Sequence, residues 1–241
     1  MILFLLSTVF ANTLSDLPIC QEQPVECETV YNALPRPTRN PNILRFSDST
    51  LKDTQWLPIH ALRLSETNTE TATRLALIQL ISSMSGEWEG YLLPLQNDED
   101  PQIRAAIAES SKWGSAEYQN SIVQSLQNDS SWEVRSELIR AIGYNQAKQH
   151  QDVLIAALND ELGRIRYDAV RVIGWNYLPV DLEILRPLLK DADPMVRMHS
   201  LRAIARIYPD SVLNMTELEA LGQDDSPMVR NEVQRLKSLQ E

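Results

Sequence analysis

Glycine is scarce in this chain, with 7 among 241 residues, about 3% where ~7% is usual. That argues against a turn-rich β protein and leaves little room for a glycine cradle around phosphate. Cysteine and histidine number only 2 and 3, too few for a four-ligand Cys/His zinc site unless they converge from distant parts of the chain. Positive charge is also in deficit: 22 Lys and Arg stand against 33 Asp and Glu, a formal net charge of −11. An acidic chain is poorly suited to wrapping a nucleic-acid backbone, so no nucleic-acid partner is expected. No apolar run reaches the ~18 residues that a membrane span requires. There is no G-x-S-x-G elbow, no P-loop and no dinucleotide fingerprint. What is present, 43% hydrophobic and 23% charged residues, is the composition of a packed domain.

The first residues read as a targeting segment. Residues 1–11 carry no charged side chain, and Ile2–Phe10 is an apolar stretch long enough for a secretory signal but too short to cross a membrane. Cleavage is expected after Ala11, although the Lys or Arg that usually precedes such a stretch is missing. A buried N-terminal strand or helix is the alternative. The expected location is periplasmic or secreted, where Cys20 and Cys27 would form a disulfide. In a reducing compartment they would instead be free thiols.

Residues 12–58 read as an irregular extension, because Pro18, Pro24, Pro35, Pro37 and Pro41 each remove a backbone donor. From residue 59 to 241 the chain repeats itself. Arg104, Arg135, Arg166, Arg197 and Arg230 follow one another at spacings of 31, 31, 31 and 33, each preceded by Ile or Val. Six residues before each arginine stands an aspartate: Asp98, Asp129, Asp160, Asp191 and Asp224. A degenerate sixth copy centres on Arg74, with Asn68 in the aspartate position. Matches at fixed positions of a constant period mark a repeat architecture. Each unit reads as two helices joined by an acidic turn. The second helix starts at Asp100, Ser131, Leu162, Asp193 and Ser226. All but Leu162 are good N-caps, and Pro101, Pro194 and Pro227 sit where a missing N–H costs nothing. One helix pair cannot bury its apolar stripe alone, so the pairs must stack.

These units, such as Asp191-Ala-Asp-Pro-Met-Val-Arg197, resemble the HEAT-like repeat family in its short form of about 31 residues, as in bilin-lyase-type HEAT repeats. The resemblance implies an all-α solenoid of about six helical hairpins behind the N-terminal extension. It also implies that the turn aspartates and the arginines, Asp98 to Asp224 and Arg104 to Arg230, bond along the stack as a structural ladder.

Some relatives of this repeat are enzymes, but His60, His150 and His199 are followed by Ala, Gln and Ser, so the His-Glu pairs of the metal-dependent hydroxylases are missing. No catalytic residue, metal or cofactor is expected. At 100° per residue, positions two, five and nine after each arginine fall on one side of the second helix. By resemblance that side lines the concave face. Arg140, Arg171, Arg202 and Arg235 would form a row there, with Trp113, Tyr144 and Trp175 along one edge. Glu137, Asp168, His199 and Glu232 occupy the position two after the arginine, and Arg206 the position nine after it. The bland reading of the row is a solvated face of pairs such as Glu137–Arg140, Asp168–Arg171 and Glu232–Arg235, each worth about 0.2–0.5 kcal/mol. Guanidinium and aromatic groups are nevertheless the side chains enriched where proteins bind each other. The expected function is therefore a non-enzymatic scaffold for a protein or peptide. The alternative is a lyase- or chaperone-like accessory subunit holding a small ligand in the groove.

Overall fold

The computed structural model describes residues 13–34, 53–66 and 69–238. The expected signal segment and cleavage site, as well as Asn68, lie outside the described residues. Among the described residues the regular structure is entirely helical. The chain divides into two compact units, Met1–Val134 and Arg135–Glu241.

The N-terminal unit opens with two helices, α1 (Pro18–Glu22) and α2 (Pro24–Ala33). Sequence reasoning made this stretch irregular because of its prolines. Pro18 and Pro24 instead occupy the first turn of each helix, where the lost N–H would have no intrahelical partner anyway. Cys20 and Cys27 are joined by a disulfide that staples the two helices, and Leu17, Val30 and Leu34 are buried beside them. Tyr31 ties α2 to the next helix, α3 (Leu57–Ser65). Its hydroxyl donates to Glu66 and accepts from Arg63 Nη1 at 3.0 Å. Burial and the Glu66 carboxylate both raise the Tyr31 pKa.

Pairs of helices follow. In the N-terminal unit α3 packs on α4 (Thr71–Ser82), and α5 (Glu89–Leu92) leads into α6 (Pro101–Ser110). Next comes α7 (Ala116–Leu126), followed by α8 (Trp132–Asn145), within which the boundary between the units falls. The second unit continues with α9 (Gln151–Ala157) and α10 (Gly163–Trp175), then α11 (Leu182–Leu185) and α12 (Pro194–Ile207). It ends with α13 (Pro209–Val212), α14 (Glu217–Leu221) and α15 (Pro227–Ser238). The first helices α5 and α11 finish as 3-10 turns, Leu93–Asn97 and Arg186–Lys190. Each turn contains a proline near its start, which removes an α-type donor and favours the tighter pattern.

Second helices pack on one another: α4 on α6 in the first unit, and α10 on α12 and α12 on α15 in the second. Their inner stripes, such as Ile165, Ala169 and Ile173 or Val196, Leu201 and Ile204, are fully buried. The capping aspartates work as their chemistry suggests. Asp100 accepts from the amide of Gln102 at 2.9 Å and Asp193 from that of Met195 at 2.8 Å. Leu162 offers no side-chain cap. Gly174 lets α10 approach α12 closely, since a Cβ there would lie 2.7 Å from the Ala203 Cβ.

Arg104, Arg166 and Arg197 each reach in two directions. Arg166 Nη1 donates back to the carbonyls of Asp160 and Glu161, at 2.8 and 3.0 Å. Its Nε and Nη2 donate forward to Asp191 of the next repeat, both at 2.7 Å. The forward pair recurs at Arg104–Asp129, Arg135–Asp160 and Arg197–Asp224, and Arg74 pairs with Asp98 in the same sense. Every aspartate also accepts from the backbone amide two residues on, closing its own turn. Arg230 makes the backward bonds to Asp224 and Asp225 but has no forward carboxylate among the described residues.

Candidate functional site

The second unit carries the four arginines on successive second helices: Arg140 on α8, Arg171 on α10, Arg202 on α12 and Arg235 on α15. All four are at least partly exposed. The reason is the repeat register: the apolar stripe at three, four and seven residues past the ladder arginine faces the core, and the fifth position faces away. Two large aromatics share this face, Tyr144 at 59% and Trp175 at 65% exposed. Trp113, 54% exposed, belongs to the first unit. There it borders a groove of about 850 Å³ lined by Leu75, Ile78, Met84, Trp88 and Lys112.

The position two after the ladder arginine departs from the sequence reading. Helical angle puts it outward with the others, yet Asp168 is 1% and Glu232 3% exposed. This position lies toward the adjoining repeat, and side chains of neighbouring second helices converge on it. Asp168 accepts from Ser136 Oγ of α8 at 2.7 Å and from Arg164 Nε at 3.0 Å. Glu232 accepts from Arg202 Nη2 of α12 at 2.9 Å and from Arg235 Nε at 3.0 Å. Burial raises the Glu232 carboxyl, but the bonds from Arg235 and Arg202 outweigh it and leave the pKa below its ordinary value. Glu137 is half-buried and accepts from Arg140 Nη1 at 2.6 Å. The arginine row is thus set on a line of carboxylates, two of them sunk between helices.

Sequence reasoning passed over Tyr167. Together with Arg171 and Trp175 it forms a stripe along α10 at intervals of four residues, opposite His199, Arg202 and Arg206 on α12. The Tyr167 and His199 rings meet edge to face with centroids 4.9 Å apart. The guanidinium of Arg171 lies 5.9 Å from the Tyr167 ring centre, and that of Arg206 lies 4.9 Å from the Trp175 ring centre. Burial foremost, then the Arg202 and Arg171 charges, lower the His199 pKa to about 4. This histidine is therefore neutral at physiological pH. A four-residue spacing of aromatic, arginine and aromatic was the available signal for this stripe.

No group of three or more His, Cys, Asp or Glu among the described residues is placed to hold a metal ion. No helix among them is long and apolar enough to cross a membrane.

Stacked helix pairs in constant register, joined by arginine–aspartate bonds from one repeat to the next, define an all-α repeat protein of the α-solenoid class. Residues 120–205 match the family model described as HEAT repeats. No curated protein matches it. Among solved structures it is similar to an engineered protein of a structural genomics consortium, at 20% identity over 74% of this chain and 95% of that one, with a TM-score of 0.48. It is also similar to a designed armadillo repeat protein in complex with the peptide (KR)4, at 19% identity over 76% and 98%, with a TM-score of 0.49.

Proposed function

We propose that this protein is a scaffold that binds a protein or peptide partner on the second-helix face of its second unit. The observation that carries this reading is the row of Arg140, Arg171, Arg202 and Arg235, flanked by the exposed Tyr144 and Trp175, on a chain whose net charge is −11. A local basic face on an acidic protein favours an acidic partner and disfavours others. Exposed Trp, Tyr and Arg supply large contact area on few rotatable bonds, the usual makings of a binding hot spot. The partner's role is to bind, and no step of catalysis is assigned to the face.

The same reading takes the chain to be exported, with the segment ending at Ala11 removed. The Cys20–Cys27 bond is in keeping with an oxidising compartment. N-terminal sequencing of protein recovered from its native compartment checks this part, and an intact Met1 would refute it.

A peptide display library panned on the protein tests the binding face. Enrichment of acidic sequences is expected for the wild type, with loss of that enrichment in the Arg171→Ala/Trp175→Ala variant. Equal enrichment by both proteins would remove the face from consideration. The groove beside Trp113 favours a second reading, a small apolar ligand held in the first unit. Quenching of tryptophan fluorescence by such ligands, weakened in Trp113→Ala where Trp88 alone reports from the groove, would bring it forward.

A further inference from the structure

The donors of the face separate its arginines into two groups. Arg140, Arg164, Arg202 and Arg235 each donate to a carboxylate of the protein at 2.6 to 3.0 Å. Arg171 and Arg206 do not. The carboxylate oxygen nearest Arg171, Asp168 Oδ1, is 3.8 Å away, beyond hydrogen-bond reach. Arg206 has no carboxylate within ion-pair distance among the described residues, and its guanidinium lies over the Trp175 ring. The paired arginines have committed donors to internal acceptors, whereas these two retain theirs.

These two arginines, with no hydrogen bond to a carboxylate, also have aromatic neighbours. Tyr167, His199 and Trp175 lie beside them on α10 and α12. Aromatic rings displace water, so an ion pair formed there is less screened than on an open helix. The half-buried His199 faces Arg202, Arg171 and Arg206 as positive charges and Glu232 as the negative one. Three cations thus converge on a neutral ring.

We propose that Arg171 and Arg206, with the Tyr167, His199 and Trp175 rings, form the anion-binding centre of this face and take a carboxylate side chain of an acidic, apolar-flanked peptide. The proposal rests on the reading of the face as a peptide-binding surface and assigns its chemistry. Guanidinium edges not already hydrogen-bonded to a carboxylate recognise one by charge-assisted, often bidentate, hydrogen bonds. The rings offer the flanking apolar side chains a surface. Arg140, Arg202 and Arg235 contribute field more than contact, with Asp168 and Glu232 fixing the frame around the centre. A long polyanion is disfavoured by the net charge of −11.

Fluorescence anisotropy with a labelled octapeptide of alternating Glu and Leu tests this, with Gln and Lys counterparts as controls. The wild type is expected to bind the Glu peptide and to bind neither control comparably. R171Q/R206Q should lose at least about tenfold in affinity, the smallest loss typical of a charged hydrogen bond. R140Q/R235Q removes equal charge from paired positions and should lose about threefold or less. Equal losses in the two double variants, or the larger loss in R140Q/R235Q, would overturn the centre while leaving the binding face intact. Equal binding of the Glu and Gln peptides, or of none, would overturn the acidic-peptide reading itself. Binding of single-stranded DNA as tight as that of the Glu peptide would overturn the commitment to a peptide. Thermal melts check that the variants fold, and the singles R171Q and R206Q replace the double if it melts early. One readout needs no variant at the centre. A carboxylate bound at Arg171 and Arg206 changes the field and the burial of the His199 ring beside them, so the His199 titration must shift when the peptide binds. A His199 titration by NMR that stays unmoved at saturating peptide would place the anion elsewhere.

Discussion

Replacing Arg166 with alanine should destabilise the protein far more than the same change at Arg230. The two arginines occupy the same repeat position and make the same backward bonds to their own turn. Only Arg166 continues forward, through two bonds of 2.7 Å to Asp191. A hydrogen bond to a charged group is worth about 1.5–3 kcal/mol. The two forward bonds share one guanidinium and one carboxylate, so they count as a single unit near the upper end of that range. The Asp191 side chain is 8% exposed, so truncating its partner leaves a carboxylate short of partners in a mostly dry place. Burial raises the Asp191 pKa, while the Arg166 bond and the Asp193 amide bring it below the ordinary value. Arg166→Ala is therefore expected to cost about 4 kcal/mol, about 3 from the forward pair and about 1 from the carbonyl bonds, and Arg230→Ala about 1 kcal/mol from its carbonyl bonds alone. Urea unfolding followed by circular dichroism, with free energies extrapolated to water, resolves a difference of that size. Equal losses at the two positions would show that the forward pair adds nothing. A change within about 0.5 kcal/mol at Arg166, the range of ordinary surface substitutions, would refute the ladder as a source of stability.

Three further outcomes are expected. Asp98, Asp191, Asp224 and Glu232 all have pKa values below their ordinary ones in the folded protein, so the folded state binds fewer protons than the unfolded one. Their contribution is complete above the ordinary carboxylate pKa of about 4 and is lost as pH falls through the depressed values; a melting temperature no lower at pH 3 than at pH 7 would contradict this. Gly174→Ala should destabilise by about 1–3 kcal/mol through overpacking against Ala203, and a stabilised variant would show that α10 and α12 do not approach so closely. Thiol titration of the denatured, unreduced protein should find neither Cys20 nor Cys27 reactive, whereas two reactive thiols would remove both the staple and the argument for an oxidising compartment.

The repeat was legible because it is written in few and regularly spaced positions. Ile or Val before arginine, aspartate six residues earlier and proline at helix starts placed the second helices near their observed beginnings. What the spacing could not tell was the direction of the bond. The arginine is nearer in sequence to its own aspartate, yet it takes only that residue's carbonyl and gives its charge to the aspartate 25 residues on. The outward positions at five and nine residues past the arginine were legible from helical angle. The burial of Asp168 and Glu232 was not, because it depends on the neighbouring helix and on Ser136 or Arg202 reaching across. The N-terminal helices were missed because proline was weighed as a breaker and not as a first residue.

Most forward pairs span 25 residues, but Arg197 and Asp224 are 27 apart and still meet at 2.7 Å. The extra length lies between the end of α12 at Ile207 and the start of α14 at Glu217, where the short helix α13 is fitted in. Length can therefore vary on the first-helix side of a hairpin without losing the pair, whereas the turn between aspartate and arginine keeps its six residues in every copy. For anyone grafting a foreign segment into this framework, the connection around residues 208–216 is the permissive seam. The aspartate turns are the hinge pins that a graft must leave alone.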